Sequence, residues 1–180
     1  AEENRRYEIL PREFRELHEQ GKVKKFRATH LGKDVKVAHI ESDNPALVGY
    51  IRSTAVGADL VVQKASTGHV IFITRQASRL VIPKGARLVK MLEAQKNNLI
   101  LEIDSEVELE APGRTKGLPH WFYDARANTL QNGGIQPQGI PATKLTYDEI
   151  EQLVKEGLNI GRMKNFNNQR QRGSQGRQRS

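Results

Sequence analysis

The chain has 180 residues, a net charge of +8 and no cysteine. A disulfide, a thiolate metal site and a Cys nucleophile are therefore excluded, and the length suits one domain with an appendage. No run approaches the roughly 18 consecutive apolar residues of a membrane span, and AEENRRYEIL has no apolar stretch of signal-peptide length, so a cytoplasmic protein without a membrane partner is expected.

Taken in chain order, Pro11 at a first helical position, with Leu10, Phe14 and Leu17 three to four apart and Gly21 as a stop, predicts a first helix. Lys24–His30 and Val35–Glu41 flank the short turn Leu31-Gly-Lys-Asp34, which predicts a β-hairpin. Val35, Val37 and His39 share one face of its second strand. Asp43 or Asn44 as a cap, Pro45, and the stripe Leu47, Tyr50, Ile51 and Ala55 predict a helix that ends by Gly57.

Asp59–Lys64 and His69–Thr74, joined by Ala65-Ser-Thr-Gly68, predict a second hairpin near the centre of the sheet. Its near-continuous apolar runs imply burial on both faces. Arg79–Ile82 is a short ambiguous run before Pro83. Ala86–Lys96 reads as helix. Ser105-Glu-Val-Glu-Leu-Glu110 alternates strictly, which predicts a half-exposed strand. Residues 120–145 are rich in Gly, Pro and Asn and read largely as loop. Thr146-Tyr-Asp-Glu149 matches a capping box, with Ile150, Leu153 and Val154 as the buried stripe behind it. The expected fold class is α+β: a mixed or antiparallel sheet built from hairpins with helices packed on it, in a domain over residues 1–161.

Residues 162–180 differ in kind. Arg162, Lys164, Arg170, Arg172, Arg177 and Arg179 are basic, and no acidic residue accompanies them. They leave residues 1–161 with 23 basic against 21 acidic residues. Gln, Asn, Gly, Ser and Arg dominate this segment, and too little apolar surface is present to offset ordering, so a disordered basic tail is expected. Arg binds phosphate oxygens in pairs, and Arg172-Gly-Ser and Gln-Gly-Arg177 resemble the Arg/Gly segments of RNA-binding proteins. Six phosphate contacts would give a log K against log salt slope of roughly −4 to −5.

The densest reactive cluster is His120-Trp-Phe-Tyr-Asp-Ala-Arg126. Trp121 and Tyr123 could stack on a base, Arg126 could hold a phosphate, and His120 and Asp124 could act as acid and base. Strand alternation puts His120 and Asp124 on one face and Trp121 and Tyr123 on the other, where the plainer reading is a packed core. His69, with His120, Asp124 and a cation such as Lys64, would suit metal-independent phosphodiester hydrolysis. No HxH, HxxxH or HExxH occurs, so no metal site and no cofactor is predicted. Gln131-Asn-Gly-Gly134 lacks the phosphate-loop patterns and reads as a turn.

Asn44–Thr74, with Gly57-Ala-Asp-Leu-Val-Val62 and Gly68-His-Val-Ile-Phe-Ile73, resembles the helix and β-hairpin of the substrate-side, non-catalytic domain of DHH-type phosphoesterases. Leu130–Gly134 and Pro141–Leu145 are similar to the ends of relatives of that group. The Asp-His-His metal motif and the Gly-Gly-Gly-His substrate loop are absent. The resemblance therefore implies a nucleotide- or nucleic-acid-associated heritage without the catalytic half. The leading expectation is a non-enzymatic, nucleic-acid-associated protein, RNA before DNA, whose basic tail contacts phosphates. The alternatives are a small metal-independent phosphodiesterase or nucleotide hydrolase using His69, His120 and Asp124, and an accessory assembly protein that docks an acidic protein partner.

Overall fold

The computed structural model describes residues 2–133 and 138–160. Seven strands form one mixed sheet in the order β1-β2-β3-β4-β7-β6-β5. They are β1 (Val23–His30), β2 (Lys33–Glu41), β3 (Leu60–Lys64), β4 (Val70–Thr74), β5 (Gly113–Thr115), β6 (Leu118–Asp124) and β7 (Thr129–Gln131). Every neighbouring pair is antiparallel except β2 and β3, which run parallel with Val37 opposite Leu60 and Glu41 opposite Lys64. A parallel pair needs a crossover, and α2 (Pro45–Arg52) supplies it.

Helices pack on both faces of the sheet, over the β1–β4 part alone on one of them, which makes the fold α+β. On one face, Phe26, Val37, Leu60, Val62, Phe72, Trp121 and Tyr123 meet α3 (Pro83–Lys96) and α4 (Tyr147–Leu158). On the other, Val23, Ala38, Ile40 and Val61 meet Phe14 of α1 (Glu2–Glu19) and Leu47, Val48 and Ile51 of α2. The two-residue period of β2 and β3 feeds both cores at once, so β3 is buried along Leu60–Gln63. Asn44 caps α2 by accepting from the Ala46 N–H at 3.0 Å. Thr146 and Glu149 form the full capping box that starts α4.

Several expectations need correction. The first helix begins at Glu2 and carries Pro11 inside it rather than at its start. Ser105–Glu110 is not a strand: Ser105 accepts from the Val107 N–H and opens a 3-10 turn over Glu106–Glu110, in which only Leu109 is buried. The alternation of Glu with Val and Leu was read with the wrong period, and the local serine bond decided the backbone instead. The ambiguous run Arg79–Ile82 is loop, and Leu80 and Ile82 are buried from it. The loop-rich reading of 120–145 missed β7 and its pairing with β4 and β6. The segment 162–180 lies outside the described residues.

Candidate anion-binding site

The β1–β2 hairpin concentrates charge. Residues 22–41 hold Lys22, Lys24, Lys25, Arg27, Lys33 and Lys36 against Asp34 and Glu41. Arg27 pairs with Asp34 across the hairpin. The five lysines make no ion pair among the described residues. β1 is also an edge of the sheet. A body that is nearly neutral as a whole therefore carries one strongly basic edge.

Register brings part of this charge together with residues distant in sequence. Lys24 faces His39 across β1 and β2, and Glu41 faces Lys64 across β2 and β3. Alternation places these four side chains on the α4 side of the sheet, at the end where α4 starts. The capping box fixes Tyr147 at the first position of that helix. Its ring lies 4.1 Å below the Lys24 ammonium, and the His39 ring meets it edge-on at 4.8 Å between centroids. Between the hairpin and the helix lies a cavity of about 180 Å³, lined by Lys22, Lys24, His39, Glu41, Lys64 and Tyr147, with Val70, Leu145 and Ile150 behind them.

His39 is 4% exposed. Burial pushes its pKa down from 6.5 to about 4, with Lys24 and then Lys64 adding to the depression. The ring is therefore neutral near pH 7. Burial also raises the Tyr147 hydroxyl, with Glu151 and Asp148 adding to it, so the phenol keeps its proton.

The other face of the hairpin has a second basic hollow of about 300 Å³, lined by Lys25, Arg27 and Lys36 beside Val56 and Ala58. A third hollow of about 530 Å³ is lined by Arg52, Tyr123, Arg126 and Asn128. There Arg52 donates from Nη1 to the Thr74 carbonyl at 3.0 Å.

The reactive residues singled out in the sequence do not converge. His69 is bonded at both ring nitrogens, to Thr67 Oγ1 at 2.8 Å and to the Ile140 carbonyl at 2.7 Å. A carbonyl only accepts, so Nε2 carries the proton and Nδ1 accepts from the threonine hydroxyl. His120 is buried, and neither ring nitrogen has a partner among the described residues. Burial lowers its pKa, Glu93 opposes that and Lys144 reinforces it. Asp124 Oδ1 accepts from the backbone N–H groups of Arg126 and Ala127, each at 3.0 Å, and so builds the β6–β7 turn. Four strand residues put Asp124 about 13 Å from His120, too far for one bridging water.

Trp121 and Tyr123 belong to the core, at 0% and 5% exposure. Neither offers a ring face on which a base could stack. Arg126 is exposed and lines the third hollow. Arg162, Lys164, Arg170, Arg172, Arg177 and Arg179 lie outside the described residues. Among the described residues no three His, Asp or Glu side chains are grouped to hold a metal, and no helix is long and apolar enough to cross a membrane.

Sequence reasoning missed Lys22, Lys24, His39 and Tyr147 as one site. The local excess of lysine was countable. The parallel β2–β3 pairing that adds Lys64, and the docking of the α4 start onto β1 and β2, had no local signal. No protein-family model matches the chain, and no curated protein matches it in sequence.

Proposed function

We propose that the protein associates with nucleic acid, RNA in the first instance, through the basic edge of its sheet together with the basic segment 162–180. The observation that carries this reading is the β1–β2 hairpin with Lys22 before it, where six cations stand against two carboxylates, Asp34 and Glu41. The lysines line hollows on both faces of the same edge. A polyanion following that edge would meet ammonium groups on either side of it, and phosphate contacts of this kind give affinity with little sequence preference. The resemblance of Asn44–Thr74 to the substrate-side domain of DHH-type phosphoesterases supports the same partner class. The buried positions of Trp121 and Tyr123 favour backbone contact over base stacking.

The test is fluorescence anisotropy of the full chain with a labelled single-stranded oligoribonucleotide across a salt series. Two charge-neutralised variants accompany it: Lys22, Lys24, Lys25 and Lys36 to Gln, and the six basic residues of 162–180 to Gln. Both variants should weaken binding and flatten the salt slope. Native affinity in the hairpin variant, or no binding by the native chain at low salt, would overturn the reading.

A further inference from the structure

We propose that the cavity between the β1–β2 hairpin and the start of α4 binds a terminal phosphate, a phosphomonoester dianion such as the phosphorylated end of an oligonucleotide or a mononucleotide. The polymer part of this statement rests on the nucleic-acid reading; the phosphate part does not.

Charge count selects the ligand class. Lys22, Lys24 and Lys64 line the cavity with one carboxylate, Glu41. The surplus of two positive charges matches a phosphomonoester, which carries about −1.5 to −2 near pH 7, better than the single charge of an internal phosphodiester. The three lysines make no ion pair among the described residues. Lys24 is held in place by the Tyr147 ring, 4.1 Å from its ammonium to the centroid.

The His39 ring and the first residue of α4 border the same cavity. His39 lines the cavity and is 4% exposed. A neutral imidazole has one N–H that a phosphate oxygen can accept. The first N–H groups of a helix lack intrahelical partners. In α4 the Thr146 hydroxyl accepts only from Glu149, so the N–H groups of Tyr147 and Asp148 have no partner among the described residues. A helix start with free N–H groups favours phosphate. Of the two carboxylates in the first turn, Glu149 is engaged by Lys96 and by the Thr146 N–H, and Asp148 remains as an opposing charge. The volume of about 180 Å³ admits a phosphate group and some water but not a stacked nucleobase, so the ligand enters by its end.

The test compares one oligoribonucleotide sequence with a 5′-phosphate, with a 3′-phosphate and with hydroxyl ends, each bound to the full chain. Competition by inorganic phosphate and by adenosine monophosphate, and the NMR signals of the His39 ring, are followed in parallel. A phosphorylated end should bind about tenfold tighter than a hydroxyl end, the size expected of one added charge-assisted hydrogen bond. Lys24→Gln with Lys64→Gln, two residues outside the core, should abolish that preference. Equal binding of all ends, with no response of His39 to inorganic phosphate, overturns the site and leaves the nucleic-acid reading standing. A preference that survives the double variant also overturns it. Binding of inorganic phosphate at His39 without any oligonucleotide binding supports the site and removes the nucleic-acid reading.

Discussion

Glu93 accepts the indole N–H of Trp121 at 2.9 Å where neither residue is exposed to solvent. Its second oxygen accepts from the Lys144 backbone N–H and from Asn97 Nδ2, both at 3.0 Å. Three donors on two oxygens satisfy a buried carboxylate without a cation. The arrangement ties α3 to β6 and to the segment that leads into α4. Trp121→Phe should cost about 2–3 kcal/mol, from the orphaned oxygen and the smaller ring. Glu93→Gln should cost about 2 kcal/mol, because an amide NH2 must then face a donor. Urea unfolding monitored by circular dichroism reads both, and a change below about 0.5 kcal/mol in either would contradict the account.

Gly157 and Gly85 make a contrasting pair. A Cβ on Gly157 would lie 2.6 Å from the Gly85 Cα and 3.0 Å from its nitrogen, where α4 crosses α3. Backbone cannot rotate away, so Gly157→Ala should destabilise by about 1–3 kcal/mol despite the better helix propensity of Ala. A Cβ on Gly85 meets nothing within 4 Å. Gly85→Ala should therefore be neutral or stabilising by up to about 1 kcal/mol. Thermal denaturation of the two single variants checks the opposite signs.

His39 gives stability a pH dependence. Its folded pKa of about 4 lies below the ordinary 6.5, so the unfolded chain binds the proton more readily. The contribution is fully present above pH 6.5 and is lost as the pH falls towards 4, by up to about 3 kcal/mol. The charged and titratable groups around it are Lys22, Lys24, Lys64, Glu41 and Tyr147. Glu149, lowered mainly by its bond to Lys96, adds a further loss only below the ordinary Glu range. Urea midpoints between pH 4.5 and 7.5 should fall more steeply with acid for the native chain than for His39→Gln. Parallel curves would remove His39 as the cause.

The salt dependence of oligoribonucleotide binding should divide between two segments. Neutralising Lys22, Lys24, Lys25 and Lys36 removes up to four phosphate contacts, and each lost contact should make the log–log slope shallower by roughly 0.7. A slope that changes only with the 162–180 variant would place all phosphate contact outside the sheet.

Local chemistry made much of the fold legible. Asn44-Pro45 and Thr146–Glu149 announced helix starts, and the two hairpins over 23–41 and 59–74 were readable from turn residues and β-branched runs. Partnership between remote segments was not. Nothing near Glu41 or Lys64 says that these residues lie side by side in parallel strands, and that pairing builds one wall of the candidate site. Trp121 illustrates the converse. Its sequence neighbours admitted a stacking platform beside the plainer packed-core reading, and a single buried acceptor on α3 explains why an indole stands there.

The ladder between β4 and β7 holds only three residue pairs, Ile71 with Gln131, Phe72 with Leu130 and Ile73 with Thr129. Among the described residues it is the only place where the ladder built from residues 23–74 meets the ladder built from residues 113–131. Each half can form from sequence neighbours, while the seam must wait for the long excursion through α3 to close. The sheet is thus two sub-assemblies stitched at a short join, with α3 and α4 packed across it as a splint. Mechanical or thermal opening would begin there, parting the basic edge from the β5–β7 half.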